Sequence, residues 1–261
     1  MIPAATVTAW GARRPWPNRA AIEQDLLLAR TIVAIYNHPL LRRELVFRGG
    51  TCLHQVHLAA PLRYSEDLDF VRRTNDGIGS VLNALREVAA ELGMTVRGVK
   101  IGEHPKMVLR AQAEGDPLLA LKIKIEIDTH ETSPAREPVR LPFEVATPWF
   151  TGTADVLTFV PEELVSTKLR ALYQRKKGRD LFDLWLALRH MGLDPTDIVA
   201  CFAPYRPAGY TADLAITNLR EKLHDDAFCR DLDPLVAQRP DGYDVAAAGQ
   251  LVIGTVLAQI K

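Results

Sequence analysis

The chain has 261 residues and a mass of 29.0 kDa, enough for one large domain or two modest ones. Apolar residues make up 48% and charged residues 25%, which excludes extended disorder. The 32 Lys and Arg against 32 Asp and Glu leave no net charge, so a globally cationic nucleic-acid binder is excluded and a polyanion would need a local patch.

Residues 1–17, rich in Pro, Trp and Arg, read as an irregular arm. Arg13 and Arg14 follow the mildly apolar start instead of preceding it, the wrong order for a signal peptide. From Asn18, which suits a helix cap, Ile22, Leu26, Ala29, Val33 and Tyr36 recur at helical spacing. Val46 and Phe47 lead into a tight turn, Arg48-Gly49-Gly50-Thr51, after which helix resumes over Cys52 to Leu58. Asp67 to Val71 is a short strand. Ile78 to Leu92 is a helix closed by Gly93. Thr95–Ile101 and Lys106–Ala113 read as strands, with a turn at Glu114–Pro117. In the clearest strand, Leu119–Asp128, Leu121, Ile123, Ile125 and Ile127 share a face, and Lys122, Lys124, Glu126 and Asp128 take the other. Residues 129–155, with four prolines, read as a connection with room for one short strand, and Val156–Val160 as another strand. Pro161 then opens a helix to about Lys176, followed by a second from Arg179 to His190. The rest reads as helices with loops around 204–207 and 234–242. Ala246–Ile260 is too short to span a membrane and reads as a buried helix. This order predicts an α+β catalytic-type domain over residues 1–160 and a helical domain over 161–261. Cys52, Cys201 and Cys229 are too few and too far apart for a disulfide framework or a C-x-x-C metal site, which fits a reducing cytoplasm.

Two constellations carry chemistry. In the first, Gly49 and Gly50 allow backbone amides to approach a ligand, the following helix adds its N-terminal dipole, and the Thr51 hydroxyl can add a phosphate contact. Asp67 and Asp69 lie two apart on a strand, so both carboxylates leave one face and need a cation between them; hard oxygen ligands suit Mg²⁺. The plain alternative is a glycine turn beside a solvated acidic strand end. In the second, Lys168 sits within the apolar stripe Leu164, Val165, Leu169 and Leu172. A lysine there is either paired in a cleft or snorkels past its neighbours. His54, His57, His104 and His130 show no ligand spacing.

Phe47-Arg48-Gly49-Gly50-Thr51-Cys52-Leu53 with Arg63-Tyr64-Ser65-Glu66-Asp67-Leu68-Asp69-Phe70 closely resembles the signature of the AbiEii family of nucleotidyltransferase-like toxins, which includes the MenT toxins. The family belongs to the DNA polymerase β-like nucleotidyltransferase superfamily. The resemblance implies a polymerase-β-like core with a mixed sheet, and a helical C-terminal domain that completes the active-site cleft. It implies Mg²⁺-dependent transfer of a nucleotide from an NTP to an acceptor, an antitoxin partner, and for some members the 3′ end of tRNA as acceptor, which would block translation. Gly49, Gly50, Thr51 and Ser65 would line the NTP site, and Asp67 and Asp69 would hold the metal. A third acidic residue on a later strand would complete the metal site, with Asp128 the first candidate and Glu126 the second. Lys168, followed about fifteen residues later by Arg179-Asp180-Leu181-Phe182-Asp183, resembles the family's second motif. That assigns Lys168 to the NTP phosphates and Asp183 to a catalytic or lysine-orienting role. On an ideal helix with Leu181, Leu184, Trp185 and Leu188 inward, Asp183 points away from the stripe, so it faces the cleft from the outer side or is solvated. The run Arg170, Arg175, Lys176, Lys177 and Arg179 is the strongest positive patch, from which Arg175, Lys176, Lys177 and Arg179 are the candidates to hold RNA; a solvated helix end is the alternative. Ser65 matches the position at which some MenT relatives are silenced by phosphorylation, unless it only caps the turn. Two other functions stay open: nucleotidyl transfer to a protein or small molecule, and a non-catalytic antitoxin-binding module on the same fold.

Overall fold

The computed structural model describes residues 2–102, 104–113 and 120–261. The fold is mixed α+β and divides into two compact units: residues up to Thr132 with Pro138–Thr158, and Ser133–Glu137 with Phe159–Lys261.

The first unit is built on a seven-stranded mixed sheet. Its chain order is α1 (Ala4–Arg13), α2 (Arg19–Asn37), α3 (Leu41–Glu44), β1 (Leu45–Arg48), α4 (Gly49–Val56), β2 (Asp67–Arg72), α5 (Gly79–Glu91), β3 (Thr95–Lys100), β4 (Lys106–Gln112), β5 (Ala120–Asp128), β6 (Val139–Ala146) and β7 (Thr151–Thr158). Across the sheet the order is β3-β4-β5-β2-β1-β7-β6. β2 pairs antiparallel with β1 and parallel with β5, and β1 runs parallel to β7. The predicted period-2 pattern in β5 holds from Leu121 to Ile127, where Leu121, Ile123, Ile125 and Ile127 are buried and Lys122, Lys124 and Glu126 are not; Asp128, expected on the polar face, is buried as well. On the same apolar face Phe47 stacks on Phe70 at 5.0 Å, and α2 packs with Leu26, Leu28, Ile32 and Ile35 fully buried. Local chemistry sets the helix ends as expected. The Asn18 side chain accepts from the Ala21 amide (2.9 Å), and Gly93 follows α5 at φ +68.

Three expectations need correction or lie elsewhere. The arm is not irregular, because residues 4–13 form α1. Its sequence is a weak helix former, with Gly11 and β-branched Thr6, Val7 and Thr8. Tertiary contacts hold it: Val7 and Trp10 are buried and the Trp10 indole donates to Asp25 at 2.8 Å. Residues 129–155 carry most of two strands rather than one short one, and β7 ends at Thr158 instead of running to Val160. β6 accommodates Pro142 because it is the edge strand, where a missing N–H is tolerated. The turn at 114–117 lies outside the described residues.

The second unit holds α6 (Pro161–Gln174), α7 (Gly178–Arg189), α8 (Pro195–Ala200), α9 (Ala212–Lys222), α10 (Asp226–Arg230) and α11 (Val245–Thr255). Among the described residues no helix is long and apolar enough to cross a membrane. The segment 133–137 is tied in by the buried Glu163, whose carboxylate accepts from the amides of Ala135 (2.6 Å) and Arg136 (2.9 Å) and from the Tyr205 hydroxyl (2.6 Å). α6, α7 and α11 pack together, with Phe182 and Trp185 edge-on to Tyr243, each at 4.9 Å. The ammonium of Lys222 donates to three carbonyls that close α6: Leu172, Tyr173 (3.0 Å) and Arg175 (3.0 Å). Buried lysine thus replaces water at the orphan carbonyls of a helix end, and its burial lowers the pKa of the amine. Among the described residues, Cys52, Cys201 and Cys229 form no disulfide.

Candidate active site

The Gly-Gly-Thr turn and the Asp-x-Asp strand meet in the first unit. Arg48 ends β1 and pairs with Asp69 of β2, so the chain enters α4 directly beside that carboxylate. Gly49 has φ +81, a backbone open to glycine and strained for other residues. A Cβ there would also overlap the Oδ2 of Asp69 and come within 3.0 Å of its Cβ and Cγ. At Gly50 a Cβ would overlap the Arg63 guanidinium and stand 3.0 Å from the Ser65 hydroxyl. Both glycines are therefore sites of close approach, to Asp69 at Gly49 and to Arg63 and Ser65 at Gly50. No side chain caps the N-terminus of α4. The Thr51 hydroxyl donates to the Asp67 carbonyl (2.5 Å) and hydrogen-bonds the Ser65 hydroxyl at 2.9 Å, pinning the helix to the start of β2. Ser65 lies before the strand, which begins at Asp67.

Asp67 and Asp69 share the polar face of β2, opposite buried Leu68 and Phe70. The parallel register with β5 sets Lys124 beside Asp67, Glu126 beside Asp69, and Asp128 beside Val71. Lys124 lies 2.9 Å from Asp67 and 2.8 Å from Glu126, and Lys106 lies 3.1 Å from Glu126. Burial works against the charge on Lys124, but its hydrogen bonds to Glu126 and Asp67 outweigh it and raise the pKa. Partial burial likewise works against the Glu126 carboxylate, and the two lysines more than offset it, holding its pKa below the ordinary value.

Asp128 is engaged elsewhere. Its carboxylate accepts from the amides of His130 (2.8 Å) and Glu131 (3.0 Å) and lies 3.2 Å from Arg48, which also pairs with Glu131. Burial opposes its ionisation, yet those amides and Arg48 keep its pKa low. It is buried and stands two residues beyond the register of Asp69, so the third carboxylate next to the Asp-x-Asp pair is Glu126. That adjacency comes from the register, which no sequence pattern encodes.

In the second unit Lys168 is 4% exposed and neither snorkels nor is solvated. Its ammonium lies 2.8 Å from Asp183 and 3.7 Å from Asp180, both fully buried. Arg175 binds Asp180 through two nitrogens, at 2.6 and 2.7 Å. The idealised helix, which left Asp183 solvated or facing outward, misplaces it. α7 is buried over both faces, from Asp180 through Ala187. The basic run is largely neutralised within its own unit. Besides Arg175, Lys176 pairs with Asp225, and Lys177 lies 3.4 Å from Asp231, which also accepts from the Arg179 amide (3.2 Å).

Among the described residues no group of three His, Cys, Asp or Glu is arranged to hold a metal. Two carboxylates with substrate phosphate oxygens are the usual Mg²⁺ set, so a preformed protein cage is not required. The donors Asp67 and Asp69, with Glu126 beside them, are hard oxygens, and the Lys124 ammonium already occupies a cation's place between Asp67 and Glu126. The donor set fits such an ion.

The site is thus a glycine turn pressed against paired carboxylates on a mixed sheet. In fold the chain is similar to MenT4, a nucleotidyltransferase toxin from Mycobacterium tuberculosis H37Rv, with a TM-score of 0.64 and 17% identity over 100% of this chain and 91% of that one. An antigenic nucleotidyltransferase-like protein from Paracoccidioides brasiliensis matches at a TM-score of 0.40 and 14% identity, covering 85% of this chain and 96% of that one. No curated protein matches the chain. The family model described as nucleotidyl transferase AbiEii toxin, type IV toxin–antitoxin system, matches residues 30–250, and the chain belongs to that family.

Proposed function

We propose that this chain is the toxin of a toxin–antitoxin pair that uses Mg²⁺ to transfer nucleotide from an NTP to the 3′ end of an RNA, tRNA in particular, and so blocks translation in the cytoplasm. The observation that carries this reading is the contact between Gly49 and Asp69, which sets the N-terminus of α4 next to paired carboxylates. The α4 N-terminus at Gly49 and Gly50 receives the triphosphate, while the buried Thr51 hydroxyl, bonded to Ser65 and the Asp67 carbonyl, fixes the turn. Asp67 and Asp69 hold the metal, with Glu126 in preference to Asp128 as the third carboxylate. When bound, the ion neutralises phosphate charge as it develops. Glu126 is held ionised by two lysines and is placed to accept a hydrogen bond from the acceptor hydroxyl, which attacks the α-phosphorus in line as pyrophosphate leaves. Asp183 is assigned to orienting the Lys168 amine, a role supported by their 2.8 Å contact. The division of labour between an α+β catalytic unit and a helical unit belongs to the same proposal.

The decisive experiment incubates the protein with unfractionated tRNA, Mg²⁺ and each labelled NTP in turn, then sequences the labelled species. Label at tRNA 3′ ends supports the reading. Label on protein or a small molecule moves the acceptor class, and no label with any NTP refutes transfer.

Ser65 is proposed as the regulatory site. Its hydroxyl is half-buried, 2.9 Å from that of Thr51 and beside Gly50. A phosphate there adds about −1.5 to −2 charges where the triphosphate is to bind. Ser65→Glu is expected to lose at least 100-fold in transfer while Ser65→Ala keeps measurable activity and escapes silencing on co-expression with the antitoxin. Normal transfer by Ser65→Glu would remove the switch.

A further inference from the structure

The sheet face that carries Asp67 and Asp69 continues across β5, β4 and β3, and its charges are arranged in register. Antiparallel pairing sets Arg110 directly opposite Lys122, and Lys106 opposite both Glu126 and Lys100. Lys106 and Lys124 are committed to Glu126 and Asp67. Lys100, Arg110 and Lys122 have no carboxylate partner among the described residues, and Lys100 and Lys122 are exposed. Arg97 sits at the β3 bulge in the same region and is also exposed and unpaired among the described residues.

Like charges directly opposite on a sheet are destabilising. Arg110 against Lys122 and Lys100 against Lys106 therefore work against the fold. Protection of an exposed edge explains a lysine on β3, the outermost strand, but not cations on β4 and β5, which are interior. The cations run away from the acidic pair. Lys122 follows Lys124 by one pleat, about 8 Å from the Asp67 position at ordinary strand spacings, and Lys100 lies three strands, about 14 Å, from β2. By contrast, three of the four cations in the 175–179 run are paired with carboxylates.

From this juxtaposition we infer that the phosphodiester backbone of the acceptor RNA lies along the β5-β4-β3 face, on Lys122, Arg110 and Lys100, which lead its 3′ end toward Asp67 and Asp69. The inference rests on the RNA reading above and relocates the acceptor from the 175–179 run. The contacts go to phosphates, so they position the strand without reading its sequence.

The test compares salt dependence of tRNA binding, from 50 to 200 mM KCl, for the full chain and three triple variants. Lys100→Gln with Arg110→Gln and Lys122→Gln is expected to flatten the log–log slope by about 2 units, at about 0.7 per contact, and to weaken binding at 50 mM salt more than tenfold. Its NTP affinity without RNA should match the parent, and its melting temperature should equal or exceed the parent's, because opposed like charges are removed. The charge-keeping set, Lys100→Arg, Arg110→Lys and Lys122→Arg, should retain the slope. Neutralising Lys176, Lys177 and Arg179 to Gln should change it by less than one unit. If the parent binds tRNA and the first variant keeps the parent slope, the face is not the RNA track, while the RNA reading stands. If the charge-keeping set loses the slope equally, charge is not the determinant and the inference falls. A parent that binds no tRNA overturns the RNA reading and this inference with it.

Discussion

Asp69→Asn will reduce nucleotide transfer by roughly 10³-fold or more, the several kcal/mol a bound cation contributes by neutralising charge at the transferring phosphate. The protein will stay folded. Asn keeps the volume that packs on Gly49, and Arg48 retains Asp128 and Glu131 as partners when the Asp69 charge is lost. Asp67→Asn should behave similarly in transfer, with Lys124 still held by Glu126 at 2.8 Å. Mg²⁺ titration of the residual activity should reach half-saturation at higher Mg²⁺ in both, because each loses a charged metal ligand. Transfer at the parent rate by Asp69→Asn would remove the metal assignment. A large fall in melting temperature with no native protein left would assign Asp69 to the fold alone.

Lys168→Met will both destabilise the protein and abolish transfer, and the two effects can be separated. The methionine keeps the apolar stem but leaves Asp183 charged and fully buried without its ammonium, whereas Asp180 keeps the Arg175 fork. Breaking a buried pair in this way costs about 3–5 kcal/mol. For a chain of this size that lowers the melting temperature by about 10 °C. The double variant Lys168→Met with Asp183→Asn removes the stranded charge and should recover most of that stability. It should not recover transfer if the amine touches the triphosphate. Recovery of both by the double variant would make Lys168 a purely structural partner of Asp183, and calorimetry with single-turnover transfer decides between these outcomes.

Much of the site was legible because its signals are local. Gly49-Gly50 and Asp67-x-Asp69 are short motifs whose spacing implies one strand–turn–helix entry and one strand face, and the structure brings them into contact. Which later carboxylate stands beside the acidic pair was not legible. Glu126 and Asp128 lie on the same face of β5, and only the parallel register with β2 shows which one stands beside Asp69. Asp183 was misjudged for a related reason. A helical wheel supposes one dry side, whereas α7 is enclosed all round.

Local order, by itself, determined the alternating strand β5, the cap at Asn18, the Gly93 helix stop and the two chemical motifs. Each depends on residues a few positions apart, where periodicity and turn chemistry act directly. Tertiary structure decided the rest. It made a helix of residues 4–13 by burying Trp10 against Asp25, 15 residues away, and drew two strands from the proline-rich stretch by giving Pro142 an edge. It also paired part of the basic run with Asp225 and Asp231, which follow Lys176 by 49 residues and Lys177 by 54. Charge is additive along a chain, but the field that a ligand meets depends on which charges the fold pairs, and pairing over such separations leaves no trace in local composition.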